Sequence, residues 1–197
     1  MGQNPSKLLL YAAGHGEFDR VKELVEEKGA DVNYEIDGYT PLSCALKWTF
    51  ENGDEIVKYL IEKGADVTRD DCALYAVSLG KKSLELLKLM VSRGVDLNRC
   101  SEKGLTPITS AALNENWPVV MFLADNGADV NLCPERFWTT AIHQAAEKGR
   151  LEELRHLCSK GANINLEDRN GKTPAFYATQ EGHLDVLKYL KSLGNNE

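Results

Sequence analysis

The stretch "EEKGADVNYEIDGYTPLSCAL", from Glu26 to Leu46, contains Gly-Ala-Asp and Gly-Tyr-Thr-Pro but no group that one would choose for chemistry. Its pattern returns as "KGADVTRDDCAL" (63–74), "RGVDLNRCSEKGLTPI" (93–108), "NGADVNLCPERFWTTAI" (126–142) and "KGANINLEDRNGKTPAF" (160–176). The glycines on which the copies align are spaced by 30 to 35 residues: Gly29, Gly64, Gly94, Gly127, Gly161 and Gly194. A period of this length is typical of stacked supersecondary units. We therefore predict a repeat array.

Each repeat contains two short apolar stripes with helical spacing. The triplets Leu42/Ala45/Leu46 and Val57/Leu60/Ile61 show the i, i+3, i+4 pattern in one repeat, and similar triplets recur in the others. Thr-Pro pairs, at Thr40-Pro41, Thr106-Pro107 and Thr173-Pro174, place a capping hydroxyl before a proline at the first helical position. Two helices per repeat are predicted, and the closing glycine fits a left-handed helix C-terminus.

The segments "DGYTPLSCAL", "TAIHQAAEKG", "EGHLDVLKYL" and "GADVN" resemble the ankyrin repeat family. The resemblance covers about residues 6 to 194 in six units. It implies an all-α repeat solenoid, in which ankyrin-like helix-turn-helix units with short β-hairpin fingers stack on one another. It also implies a concave face, made of fingers and first helices, that binds other proteins.

We expect a single domain over residues 1–197, with units at about 6–33, 34–67, 68–98, 99–131, 132–165 and 166–197. Polar Thr179 and Lys191 stand in the last unit where the other units are apolar, which predicts a terminal cap. The first unit begins at about Ser6 without a preceding hairpin, so we expect a complete array.

The third unit departs from the pattern. Seven residues separate Gly64 from Asp71, whereas 11 separate Gly29 from Thr40 in the first finger. Asp71-Cys72 also replaces the Thr-Pro helix start. Because stability in a solenoid sums over units and their interfaces, we predict that the third unit is the weakest.

Composition excludes several classes of function. The 197 residues are 43% hydrophobic and 27% charged, as in ordinary globular proteins. A net charge of −7 without a basic stripe argues against a nucleic-acid partner. The chain has no apolar run long enough to span a bilayer, no secretory signal and no Cys-x-x-Cys pair among its five cysteines. We therefore expect a cytoplasmic protein with reduced thiols.

Motifs for catalysis are not found. The sequence lacks a glycine-rich phosphate loop, Gly-x-Ser-x-Gly, His-Glu-x-x-His and a calcium loop. The resemblance makes His143 a structural hydrogen-bonding residue and places His183 at a Gly-His helix start. His15 and His156 have no partner at metal-ligand spacing. We expect no enzyme activity, no metal and no cofactor.

Aromatic residues on finger and loop positions are the candidates for binding, because exposed aromatic clusters are typical of interface hot spots. Phe137 or Trp138 could instead pack under its own altered finger. Two partner-binding patches are predicted, and they consist of Tyr34, Ile36, Tyr39, Lys47 and Trp48, and of Arg136, Phe137, Trp138, Glu147 and Lys148.

These features favour a non-enzymatic scaffold, adaptor or inhibitor that is a monomer when alone and binds a protein through its concave face. The alternative is a structural or regulatory subunit of a larger assembly. "MGQNPSK" matches the pattern for myristoylation of Gly2, although it lacks a second anchoring signal. A membrane is expected as a partner only if Gly2 is acylated.

Overall fold

The computed structural model describes residues 4–48, 53–101, 104–132 and 139–194. Within these residues the chain forms twelve α-helices and a short 3₁₀ turn at Gly80–Lys82. The helices follow one another as six pairs, which confirms the all-α repeat solenoid as the fold class. The helices are α1 (Pro5–Gly14), α2 (Phe18–Glu26), α3 (Pro41–Lys47), α4 (Gly53–Glu62), α5 (Cys72–Val77), α6 (Ser83–Val91), α7 (Pro107–Leu113), α8 (Trp117–Asp125), α9 (Ala141–Glu147), α10 (Leu151–Ser159), α11 (Pro174–Gln180) and α12 (Leu184–Gly194).

The helix pairs stack in two compact units, residues 1–96 and 97–197. In the first unit, α1 packs on α3 and α3 on α5, while α2 packs on α4 and α4 on α6. In the second unit, α7 packs on α9 and α9 on α11, while α8 packs on α10 and α10 on α12. The first helices of the pairs therefore form one row in each unit, and the second helices form another.

Small residues fill the row of first helices and larger aliphatic residues fill the other row. Ala45 and Ala145 are buried in the first row, whereas Leu60, Leu86 and Leu123 are fully buried in the second. Small side chains let neighbouring helices approach closely, and the aliphatic side chains fill the space between the layers. Burying one Leu contributes about 1.5–3 kcal/mol, so each repeat gains most of its stability from its neighbours.

Threonine caps begin the first helices as predicted. The Thr40 hydroxyl accepts the backbone N–H of Ser43 (3.1 Å), and Ser43 Oγ accepts the backbone N–H of Thr40 (2.9 Å). At the starts of α7 and α11, the hydroxyls of Thr106 and Thr173 accept the backbone N–H groups of Thr109 (3.2 Å) and Phe176 (3.4 Å). Within the described residues, Asp71 at the start of α5 makes no capping hydrogen bond through its side chain. The first helix of the third repeat thus lacks the cap that these helices have.

The fingers that the structure describes are short, hydrogen-bonded turns. In the first finger, Ile36 and Tyr39 exchange two backbone hydrogen bonds (3.1 and 2.9 Å) across an isolated antiparallel bridge. Asp37 (φ 52°) and Gly38 (φ 78°) form its tip with the positive φ angles of a tight hairpin turn. The finger at Asp168 closes with bonds from the N–H of Asp168 to the carbonyl of Lys172 (2.9 Å) and from the N–H of Gly171 to the carbonyl of Asp168 (2.9 Å), and the finger at Ser101 closes in the same way.

An asparagine amide joins neighbouring repeats at three places. Asn33 donates through Nδ2 to the carbonyl of Gly64 (3.1 Å), and its Oδ1 accepts the backbone N–H of Asp66 (2.8 Å). Asn98 bonds in the same two ways to Gly127 and Asp129, and Asn131 to Gly161 and Asn163. Each amide satisfies a carbonyl and an N–H of the next repeat, so it fixes the register of one repeat on the next.

Thr68 interrupts this series within residues 1–96. It stands where the other repeats have Asn33, Asn98 or Asn131, and its hydroxyl donates to Oδ1 of Asp66 (2.7 Å). Threonine has no amide, so it cannot make the two-sided contact with the next repeat at Gly94. The interruption coincides with the uncapped helix α5.

A buried carboxylate organises the last finger. Asp168 is 5% exposed; its Oδ1 accepts the backbone N–H groups of Asn170 (2.8 Å) and Lys172 (2.9 Å), and its Oδ2 accepts the Tyr177 hydroxyl (2.6 Å). Burial alone raises the pKa of Asp168, but the bonds from Tyr177, Lys172 and Asn170 outweigh it and hold the pKa below its ordinary value. Burial and Asp168 raise the pKa of Tyr177 to about 12.

Restoring the missing amide should stabilise the protein. We expect Thr68→Asn to raise the free energy of unfolding by about 0.5–1.5 kcal/mol, which corresponds to about 1–6 °C in Tm. Asn131→Ala should lower it by about 1–3 kcal/mol, because it leaves a carbonyl and an N–H without their partner. Thermal unfolding followed by circular dichroism measures both. A Thr68→Asn protein that melts below the parent would show that the third repeat cannot accept the amide.

The Asp168 carboxylate should contribute stability that depends on pH. Its lowered pKa means that this stability is present above the ordinary carboxyl pKa of about 4 and is lost as the pH falls below it. We expect Asp168→Asn to cost about 1.5–3 kcal/mol at pH 7 and much less at pH 3. Urea unfolding at both pH values tests this, with exposed Glu181→Gln as the control. An equal cost at both pH values would contradict the assignment.

Candidate functional site

An apolar groove lies on the row of first helices in residues 1–96. It has a volume of about 330 Å³ and is lined by Leu10, Tyr11, Gly14, His15 and Trp48. Tyr11 is 52% exposed and Trp48 is 43% exposed, although both are large and apolar. Two neighbouring aromatic side chains of this size are therefore presented to solvent.

Gly14 allows Trp48 to lie against helix α1. A Cβ atom at position 14 would stand 3.1 Å from Cε3 of Trp48 and 3.6 Å from Cβ of Cys44. Such a contact is tighter than an ordinary van der Waals contact, so a larger residue would push the indole away from the helix. Because Gly14 has no side chain, the indole can pack against α1, and Gly14 lies at the floor of the groove.

Tyr39 and Lys47 also lie close to the indole. The ring centroids of Tyr39 and Trp48 are 5.5 Å apart, with the planes tilted by 34°. Lys47 Nζ donates to the Tyr39 hydroxyl (3.0 Å) and lies 4.7, 5.8 and 5.9 Å from the ring centroids of Tyr39, Trp48 and Tyr75. Burial is the main reason that the pKa of Tyr75 is raised, and the Lys47 charge opposes it. We call Leu10, Tyr11, Gly14, His15, Tyr39, Lys47, Trp48 and Tyr75 the aromatic surface.

The structure brings together three of the five residues predicted for the first patch, namely Tyr39, Lys47 and Trp48. Tyr34 and Ile36 are half-buried and do not line the groove. Ile36 is joined to Tyr39 through the backbone bridge.

The second predicted patch is described only in part. Arg136, Phe137 and Trp138 lie outside the described residues. Lys148 Nζ is 3.6 Å from Oε1 of Glu115 and 4.0 Å from Oε1 of Glu147. These side chains are mostly exposed, so the ion pairs contribute little stability and leave a polar surface.

Three further members of the aromatic surface carry a signal in the sequence. Tyr11 and Tyr75 occupy equivalent places, directly before Ala12-Ala13 and Ala76-Val77. His15 stands at one of the two variable positions after the first Ala-Ala pair, as Trp48 does in the next repeat. The repeat alignment therefore places all three beside Trp48. A prediction that considers only aromatic residues at the fingertips misses them.

The resemblance places His143 and His183 in structural roles, and the structure agrees. His143 bonds Thr140 through Nδ1 (3.0 Å) and the carbonyl of Leu166 through Nε2 (2.9 Å). His183 Nε2 lies 2.9 Å from the carbonyl of Glu147. Both imidazoles tie one repeat element to another.

The described residues show no metal-binding cluster and no membrane-spanning helix. In these parts of the chain, no group of three or more His, Cys, Asp or Glu side chains could hold a metal ion. None of the described helices is long and apolar enough to cross a membrane. Cys44 is fully buried, and burial raises the pKa of its thiol to about 12, which makes it a packing residue.

Comparison with known proteins gives one consistent result. The family model for ankyrin repeats (3 copies) matches residues 1–71, 73–168 and 127–196. The chain is 30% identical over 189 residues to the probable 26S proteasome regulatory subunit p28 of Saccharomyces cerevisiae, covering 91% of this chain and 81% of p28.

Solved structures agree with the sequence comparison. An ankyrin repeat domain from Acinetobacter baumannii AYE has a TM-score of 0.77 at 26% identity and covers 95% of this chain and 97% of its own. The ankyrin repeat protein EF0377 has a TM-score of 0.78 at 28% identity, covering 97% and 98%.

Proposed function

Because the chain belongs to the ankyrin repeat family, we propose that it is a non-enzymatic interaction module that binds a protein partner through its concave face, the face of the fingers and first helices. The exposure of Tyr11 and Trp48 side by side over an apolar groove carries this proposal. Scaffold, adaptor and inhibitor are the roles that such binding can serve. We place the protein in the cytoplasm.

The aromatic surface has the properties of an interface hot spot. Tryptophan, tyrosine and arginine are enriched at hot spots, where they bury a large area in a desolvated pocket. Trp48 packs against Gly14 and lies close to Tyr39 and Lys47, so little side-chain entropy is lost when a partner covers it. The groove beside it offers the concave volume that a partner side chain needs.

The second patch is a separate proposal within residues 97–197. We propose that Arg136, Phe137 and Trp138 contact the partner together with Glu147 and Lys148. Aromatic and arginine side chains would supply binding energy there, and the exposed charges would form a polar rim.

The alternative function is a structural or regulatory subunit of a larger assembly. Similarity to p28, which is named a probable regulatory subunit of the 26S proteasome, supports it. Such a subunit could use an end or the back of the array, and myristoylation of Gly2 would tether it to a membrane. Co-purification from the native host in a fixed stoichiometry, unchanged by alanine at Trp48, would favour this alternative.

Replacing the aromatic anchors should weaken binding without unfolding the protein. We expect Trp48→Ala and Trp138→Ala to melt within a few degrees of the parent and to bind the captured partner at least about tenfold more weakly, since hot-spot truncation costs about 2 kcal/mol or more. Affinity capture from a lysate of the native host, followed by titration of the captured partner, provides the measurement.

Leu184→Ala is the matched control, because Leu184 is 64% exposed on α12 and lies outside the aromatic surface. The control should bind like the parent. If both tryptophan variants bind normally, or lose binding only because they unfold, the concave face is not the binding face.

A further inference from the structure

We propose that the aromatic surface binds an arginine side chain from a basic segment of the partner. The proposal rests on the proposed function and specifies the chemistry of its partner. Its premise is that the surface presents exposed aromatic faces at an apolar groove, within a unit (residues 1–96) that carries a surplus of negative charge.

Lys47 shows that a cation is stable on these rings. Its ammonium lies within 6 Å of the centroids of Tyr39, Trp48 and Tyr75, which is the range of cation–π attraction. Trp48 and Tyr11 also line the groove on α1, where they are 43% and 52% exposed. The exposed rings of Trp48 and Tyr11 at the groove therefore remain available to a second, external cation.

Arginine fits the groove better than lysine does. Its apolar stem can lie along Leu10 and Gly14, while its planar guanidinium stacks on an aromatic face. A lysine ammonium is more strongly hydrated and has no planar face to stack, so it would lose more on entering an apolar groove.

His15 is fixed at the edge of the groove. Its Nδ1 lies 2.7 Å from the carbonyl oxygen of Tyr11. A carbonyl can only accept, so Nδ1 donates this bond and holds the imidazole on α1, beside the other residues that line the groove.

The charge of the first unit favours a basic partner. Residues 1–96 contain 17 acidic and 12 basic residues, a net charge of −5, so they carry most of the chain's net charge of −7. Asp37 is exposed at the tip of the first finger, and the charges of Asp71 and Asp70 act on the Tyr75 hydroxyl, contributing to its raised pKa. Such a field raises the association rate of a cationic segment. The positive charge of Lys47 weakens this negative field locally. The proposal therefore predicts that reversing the charge at position 47 strengthens binding of a basic peptide.

Selection from a random 12-residue peptide library displayed on phage tests the proposal without a known partner. The parent protein should enrich basic peptides with one arginine at a shared position. Proteins with Trp48→Leu or Tyr11→Ala should not enrich that arginine; two variants are used because either one alone could disturb the fold, and their melting temperatures are checked first. In titrations of the best peptide, replacing its arginine by methionine should weaken binding at least about tenfold, or about 1.4 kcal/mol.

Charge reversal at position 47 tests whether the bound segment is basic, by the direction in which the affinity changes. Lys47→Glu should bind the peptide about threefold or more tightly at low salt, and the gain should shrink at high salt because exposed charges are screened. Lys28→Glu makes the same change in net charge outside the aromatic surface and should have little effect. Weaker binding by Lys47→Glu would overturn the proposal and indicate an acidic partner.

Other outcomes also decide the matter. Enrichment of peptides with an acidic or purely apolar anchor would contradict the proposal that the surface binds arginine. So would a selection in which the parent enriches peptides no more than the Trp48→Leu protein does. Neither result would contradict the proposed function. That function is tested separately, by whether the parent captures the native partner and the Trp48→Ala protein does not. An arginine anchor with tighter binding by Lys47→Glu would establish the inference.

Discussion

The order of the array depends on one side-chain amide that is bonded on two sides. Asn33, Asn98 and Asn131 each donate to a glycine carbonyl and accept an N–H two residues beyond it in the next repeat. Hydrophobic burial holds neighbouring repeats together, but apolar contacts are non-directional and do not by themselves fix a register. The amide does, because both of its bonds can form in only one alignment. Where the amide is present, that alignment places neighbouring helices of a row and the side chains that they present to solvent.

The candidate site is a consequence of this order and of one small residue. The row α1, α3 and α5 brings Tyr11, Trp48 and Tyr75 to neighbouring positions, and Gly14 leaves space for the indole. Binding residues on such a fold can vary freely, because the core needs only the alanines and the aliphatic side chains behind them. The family therefore determines where a partner binds more than which partner it is.

The repeat period, the helix pairs and the threonine caps could all be predicted from the sequence, because each has a short-range cause. Thr40 and Pro41, for instance, start a helix through bonds to residues within one turn. The fingers were predicted as short β-hairpins, and those that the structure describes close through one or two backbone bonds, with an isolated bridge between Ile36 and Tyr39. The groove was harder to predict, since Gly14 carries no signal of its own and matters only because Trp48, 34 residues later, lies on it. The grouping of Tyr11 with Tyr75 likewise requires three stacked repeats.

The interruption at Thr68 gives a partner a mechanical role. The aromatic surface extends from Tyr11 on α1 to Tyr75 on α5, so it spans the junction at which the amide is missing and the following helix lacks its cap. A partner that touches both ends of this surface would act as an external brace across this junction. By linkage, part of its binding free energy would then appear as stiffening of the third repeat. Because one amide is missing, the rigidity of the array would then depend on whether a partner occupies the aromatic surface.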